Sequence, residues 1–185
     1  MSTACLSSGA LRADPGYKAR SGKLAFSADA NVAFLKVSGY SSAIKGEGQA
    51  TVAGDVATIR NLRFEVDPKT LKTGIGLRDQ HMYEKVFTAS DGSVPPLVLR
   101  ADRFEARRNP KTSKWEGNFQ AQVSMRGVTK PVRFRASAEQ KNPGAIVSAE
   151  GVIKTSDFGV QPITYSGAAV NNEVTVTVSS LRLEP

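Results

Sequence analysis

Side chains able to do covalent or acid–base chemistry are scarce in this chain. His81 is the only histidine and Cys5 the only cysteine. A nucleophile–base pair would have to use His81, yet no Gly-x-Ser-x-Gly elbow is present. Asp79 stands too close in sequence to serve readily as its orienter, so a structural role is expected for His81. One histidine and one cysteine give zinc no ligand set, and the acids lack EF-hand spacing. Gly46-Glu47-Gly48 lies mid-strand, and Lys72-Thr73-Gly74-Ile75-Gly76 lacks the phosphate-loop pattern. No carboxylate pair stands out for glycoside chemistry, and the aromatic–basic pattern of an RNA-binding strand is missing. The expectation is a protein without catalytic residues, metal or nucleic-acid partner.

The elements that carry these residues read mostly as strands. Trp115, Gly117, Phe119, Ala121, Val123 and Met125 alternate with Glu116, Asn118, Gln120, Gln122, Ser124 and Arg126. Alternation of period two marks a long strand with one apolar and one wet face. Val132, Phe134, Ala136 and Ala138 continue it, as do Val174, Val176 and Val178. Leu181 and Leu183 carry the opposite parity, which predicts a bulge near Ser179-Ser180. Weaker alternation at 44–53, 57–66, 97–106 and 145–154, with a first strand near 17–27, brings the total to about eight. Ala53-Gly54-Asp55, Asn109-Pro110, Arg126-Gly127 and Asn142-Pro143-Gly144 supply tight turns, so an antiparallel meander follows.

Two stretches read as short helices. Ala30, Ala33, Phe34 and Val37 fall at helical spacing between Ser27 as N-cap and Gly39. Arg78 to Phe87 offers Asp79 as N-cap and sets Met82 and Val86 on one side, with Tyr83 and Phe87 beside them. That second helix is expected to lie across one end of a barrel. Residues 155–172 have no clear period and read as a long loop.

The chain has 185 residues and a net charge of +8, enough for one domain and favourable to anionic partners. Residues 1–16 read as a flexible leader and 17–185 as a single domain. The leader, with Cys5, lacks the basic start and apolar centre of a secretory signal, and the lone cysteine rules out an internal disulfide. No apolar run is long enough for a membrane-crossing helix. The densest basic cluster, Arg100, Arg103, Arg107, Arg108, Lys111 and Lys114, reads as the exposed tip of a hairpin.

Eight antiparallel strands can close into a barrel or stack as a sandwich. Small residues on the inward faces favour a hollow barrel: Gly46, Gly48 and Ala50; Gly117 and Ala121; Ala136 and Ala138; Ala149 and Gly151. They would leave open volume that a filled core does not have. The rival reading is that the glycines mark bends in coiled strands.

Three segments then become recognisable. Leu71-Lys72-Thr73-Gly74-Ile75-Gly76-Leu77-Arg78-Asp79-Gln80-His81-Met82, with Phe87 following, resembles a Thr-Gly-x-x-x-Arg-Asp-x-His-Leu signature. Met125-Arg126-Gly127-Val128-Thr129-Lys130-Pro131-Val132 resembles a Leu-x-Gly-Val-Thr-Lys-Pro-Val hairpin, and Ser156-Asp157-Phe158-Gly159-Val160 is followed at a distance by Asn172-Glu173-Val174. In that order they resemble the YceI family of lipocalin-like, polyisoprenoid-binding bacterial proteins. Thr155 departs from the pattern, where an arginine is usual, and so does the segment after Phe87.

The resemblance implies an all-β, lipocalin-like barrel of about eight antiparallel strands that carries an apolar lipid. It implies that Asp79 caps the crossing helix and that Arg78 meets a carboxylate or a loop carbonyl. It further implies an isoprenoid lipid or quinone as guest, no catalytic cofactor, no stable membrane insertion, a bacterial envelope or periplasmic location and a homodimer. With no signal in the chain, a cytoplasmic location stays open. The barrel lining and mouth are assigned to Phe26, Phe34, Phe64, Met82, Phe87, Leu99, Trp115, Phe119, Val123, Phe134, Phe158 and Arg78, with Lys72 as a further head-group candidate. Two rivals remain: a basic module that binds an anionic partner through its surface, and an isomerase or hydrolase using His81.

Overall fold

Alternating apolar and polar residues build strands that can bury one face, and in a computed structural model these strands close on themselves. The structure describes residues 16–32, 35–165 and 167–185. The strands are β1 (Gly16–Asp29), β2 (Lys36–Ser41), β3 (Ile44–Ala53), β4 (Val56–Val66), β5 (Leu97–Arg108), β6 (Trp115–Met125), β7 (Val128–Lys141), β8 (Gly144–Lys154), β9 (Thr164–Tyr165), β10 (Ala168–Ala169) and β11 (Glu173–Glu184). Helix α1 spans Gly76–Met82. Strands β2 and β3 run the same way and pair with the two halves of β1, so they act as one broken strand. Pairing of β1 with β11 then closes an eight-stranded antiparallel barrel. Strands β9 and β10 form a separate small hairpin within the 155–172 loop.

The faces sort as the alternation requires. On β6 and β7, Phe119, Ala121, Val123, Val132, Phe134 and Ala136 share the inner parity, while Gln120, Gln122, Arg133 and Arg135 are exposed. A barrel that is oily within and charged without has the opposite polarity to one that spans a bilayer. Among the described residues, no helix is long and apolar enough to cross a membrane. The predicted bulge is present: the β8–β11 register shifts between Val178 and Leu181, and Ser180 adopts φ 52°. The basic cluster runs along β5 into the turn before β6, where Asn109 accepts the Lys111 amide at 2.9 Å and the Arg108 guanidinium lies 5.4 Å from the Trp115 ring.

The two helical expectations fare differently. The stretch from Ser27 is not helical where described: Ser27 lies in β1 and Val37 in β2, paired with Ala28. Ladder pairing with β1 overrides a helical spacing that rested on only a few apolar residues; Ala33 and Phe34 lie outside the described residues. The second helix exists, but it starts at Gly76 with Ile75 as its N-cap. Asp79 is therefore one turn inside the helix and is not its cap. Its carboxylate reaches back to accept the Thr73 amide at 2.7 Å and the Thr73 hydroxyl at 2.6 Å. After Met82 the backbone widens into a π-helical turn, Tyr83–Phe87, closed by the Thr88 amide on the Tyr83 carbonyl.

This helical segment forms a lid over one end of the barrel. Lys72 exchanges two backbone hydrogen bonds of 2.9 Å with Tyr40 on β2. The Tyr83 hydroxyl donates to the Leu71 carbonyl at 2.8 Å, and Arg126, in the β6–β7 turn, donates to the Lys85 carbonyl at 3.1 Å. Beneath the lid, Leu71, Met82, Phe87, Met125, Phe158 and Val160 pack into an apolar cluster.

Small residues on the inner face do two jobs. Ala136, Ala138 and Ala149 border open space, as the hollow-barrel reading expects. Gly46 and Gly151 instead seat aromatic rings: each lies directly across the ladder from a phenylalanine, Phe64 and Phe134 respectively. A Cβ on Gly151 would lie 2.6 Å from the Phe134 ring and 2.9 Å from the Arg133 carbonyl oxygen. The bare backbone lets the ring lie flat on the neighbouring strand. Gly151→Ala should therefore cost about 1–3 kcal/mol through overpacking. Thermal melts of Gly151→Ala, Phe134→Ala and the double variant check this; strictly additive losses would refute the seat.

Candidate functional site

A cavity of about 560 Å³ occupies the barrel interior. Each wall strand contributes inward side chains: Phe26 from β1, Phe64 from β4, Leu99 and Phe104 from β5, and Phe119 and Val123 from β6. Val37 on β2, Ile44 on β3, Phe134 on β7, Ala149 and Ile153 on β8, and Val174, Val176 and Val178 on β11 complete the wall. Trp115 lies toward the end away from the lid, with Ala138, Val147 and Leu183. Met82 and Phe87 border the cavity from the lid, and so does Arg78. The Phe104 and Phe119 rings stack at 4.2 Å, and Phe119 meets Phe134 at 5.6 Å. These aromatic contacts hold the wall in shape without filling the lumen.

The cavity is edged by exposed residues at one end. Every exposed residue that borders it lies at the lidded end, from Lys85 on the α1 side to Ser156, Gln161, Thr164, Asn171 and Asn172 on the loop side. Toward the far end the bordering residues are buried or half-buried. The mouth thus lies between the lid and the β8–β11 loop. Asn172 fixes its own side of the rim by accepting from the Thr155 hydroxyl at 2.9 Å and the Ser156 amide at 2.8 Å.

Of the described residues expected to line the barrel, all but Phe158 border this cavity. Phe158 is only 1% exposed and packs into the apolar cluster under the lid, anchoring the short turn Thr155–Phe158. A side chain enclosed on all sides presents no wall to a guest. Phe34 lies outside the described residues. Lys72 does not border the cavity; its ammonium donates to the Tyr83 hydroxyl at 2.9 Å on the outer surface. Arg78 donates to the Thr73 carbonyl at 2.8 Å, the loop-carbonyl option of the two expected for it. The rim residues Lys85, Gln161, Asn171 and Asn172 were missed, because neither a loop without period nor the outer turn of a helix signals a pore edge.

The polar groups near the mouth are structural in their visible contacts. Burial works to raise the Asp79 pKa, but the two hydrogen bonds from Thr73, helped by the Lys72 and Arg78 charges, outweigh it and hold the carboxyl below its ordinary range. His81 also borders the cavity. Among the described residues, no group of His, Cys, Asp and Glu side chains gathers to hold a metal.

Comparison with known proteins agrees with this architecture. The model of the YceI-like domain matches residues 17–180. The chain belongs to the YceI-like family. Solved structures share its fold at low identity. The crystal structure of Burkholderia cenocepacia BcnA superposes with a TM-score of 0.60 at 16% identity, covering 85% of this chain and 93% of that one. The Campylobacter jejuni YceI protein gives 0.59 at 15% identity, covering 84% and 89%. A polyisoprenoid binding domain from Saccharophagus degradans, implicated in plant cell wall breakdown, gives 0.54 at 11% identity, covering 89% and 98%. Among curated proteins, none matches the chain in sequence.

Proposed function

We propose that this YceI-like protein is a non-enzymatic carrier for a long apolar lipid of the polyisoprenoid type, held inside the barrel. The observation that carries this reading is the oily cavity that extends along the barrel and is edged by exposed residues beside the lid. Its volume falls within the ordinary range for small-molecule sites, about 300–1,000 Å³. Burial at about 25 cal/mol per Å² lets a hydrocarbon chain bind without directional contacts, once the cost of ordering it is met. The Saccharophagus relative is a polyisoprenoid binding domain, which supports the same guest class. Arg78, His81, Lys85, Gln161, Asn171 and Asn172 near the mouth would face the head group, whether quinone or another polar cap. A bacterial envelope location and a homodimer belong to this proposal through the family.

A filled core would have favoured the rival reading of a surface-acting basic module, and the barrel holds a cavity instead. Protein purified without detergent, extracted with organic solvent and analysed by mass spectrometry, should release an isoprenoid. The emptied protein should take up one apolar fluorescent probe per chain, displaceable by a polyprenol. Protein that yields no lipid and takes up no probe would sink the proposal.

A further inference from the structure

Trp115 is the largest side chain that borders the lumen, and it lies at the end away from the lid. Its neighbours there are smaller: Ala106 on β5, Ala138 on β7, Val147 on β8, and Leu181 and Leu183 on β11. Ala138 stands directly across the ladder from it. Its partner on the other side is Arg108, which is exposed and does not border the cavity. The Arg108 guanidinium lies over the ring, 5.4 Å from its centre. The indole thus meets an outward cation on one side and borders the lumen on another. Its N–H is buried and has no hydrogen-bond partner among the described residues. No hydrogen bond anchors the ring, so its contribution at this point is bulk.

The room in front of it is limited. The lumen holds about 560 Å³. A methylene is about the size of a water molecule, which takes roughly 30 Å³ of liquid, so the lumen has space for about twenty carbons. The residues bordering the Trp115 end carry no charge, so the apolar terminus of a guest is the end suited to enter first.

We infer that Trp115 is the floor of the lumen and sets the length of chain that fits within it. This rests on the proposed carrier function and narrows its guest. An isoprenoid of about four units fits entirely, and a longer one leaves its remaining units outside the mouth. Each buried methylene strengthens binding by about fourfold. Affinity therefore climbs with length and levels off once the chain end meets the indole.

Displacement of an apolar fluorescent probe by straight-chain alcohols of graded length tests the inference. With the parent protein, affinity should level off near about twenty carbons. Trp115→Ala should move that point outward by about three to five carbons, the room that the ring vacates. Ala138→Leu adds bulk at the same level of the barrel and should move it inward. Each variant is compared with the parent on the same alcohols, so that their solubility cancels. If Trp115→Ala does not fold by thermal melt, Ala138→Leu carries this measurement alone.

Trp115 is also the only tryptophan, so quenching of its fluorescence by bromine reports where a chain end lies. At the limiting length, an alcohol brominated at its far terminus should quench the indole. The same alcohol brominated beside its hydroxyl should not. Affinity that climbs without levelling overturns the inference, as does a levelling point that no folded variant moves. Equal quenching from the two bromine positions overturns it too. Uptake of neither probe nor alcohol by the parent protein sinks the carrier reading itself, and the floor with it.

Discussion

Replacing Ala149 by tryptophan should block the lumen and leave the barrel standing. Ala149 borders the cavity and pairs with Ala136 on β7 and Val178 on β11, which border it too. An indole there would occupy the space of several methylenes of a guest chain. At about 0.8 kcal/mol per methylene, displacing three of them weakens binding by about fiftyfold. Because the added volume enters open space, the melting temperature should stay near that of the parent protein. Titration of an apolar fluorescent probe, paired with thermal melts, measures both effects. Undiminished uptake by a folded Ala149→Trp protein would mean that guests do not use the barrel interior.

The lid should depend on one carboxylate, and Asp79→Ala should loosen it. Asp79 is 8% exposed and accepts two hydrogen bonds from Thr73. Alanine leaves the Thr73 amide without its acceptor, a loss of about 2–3 kcal/mol. The effect is pH-dependent, and its sign follows from the depressed pKa. The folded carboxyl titrates below its unfolded value of about 3.9, so its contribution is complete above that value. It is lost as the pH falls through the lower folded value. The gap between parent and Asp79→Ala, read by hydrogen exchange in residues 71–79, should be full at pH 7 and narrow below about pH 4. A gap that widened in acid would assign the effect to something other than the ionised carboxylate.

The wall of the barrel was readable because a strand exposes its parity. Residues of period two name their own face, so Phe119, Val123 and Phe134 could be assigned to the interior before any coordinates. The same rule found the Ser179-Ser180 irregularity, since a bulge is where parity flips. It fails wherever the chain has no fixed period. Phe158 sits in a turn, so nothing in its spacing distinguishes the lumen from the plug of side chains under the lid. The first residues of strand β2 were read as the end of a helix because a handful of apolar residues fits either period, and only the ladder to β1 decides between them. Asp79 looked like a cap because it precedes an apolar stripe; the helix begins earlier, at glycine, and uses the aspartate to hold the loop behind it. The seating of Phe64 and Phe134 on glycines was beyond reach, since it depends on which residues face one another across the ladder.

The exposed residues that border the lumen gather at one end. A linear guest of the proposed kind, threaded from there, would leave its last-entering group on display, and an acceptor would meet that trailing group first.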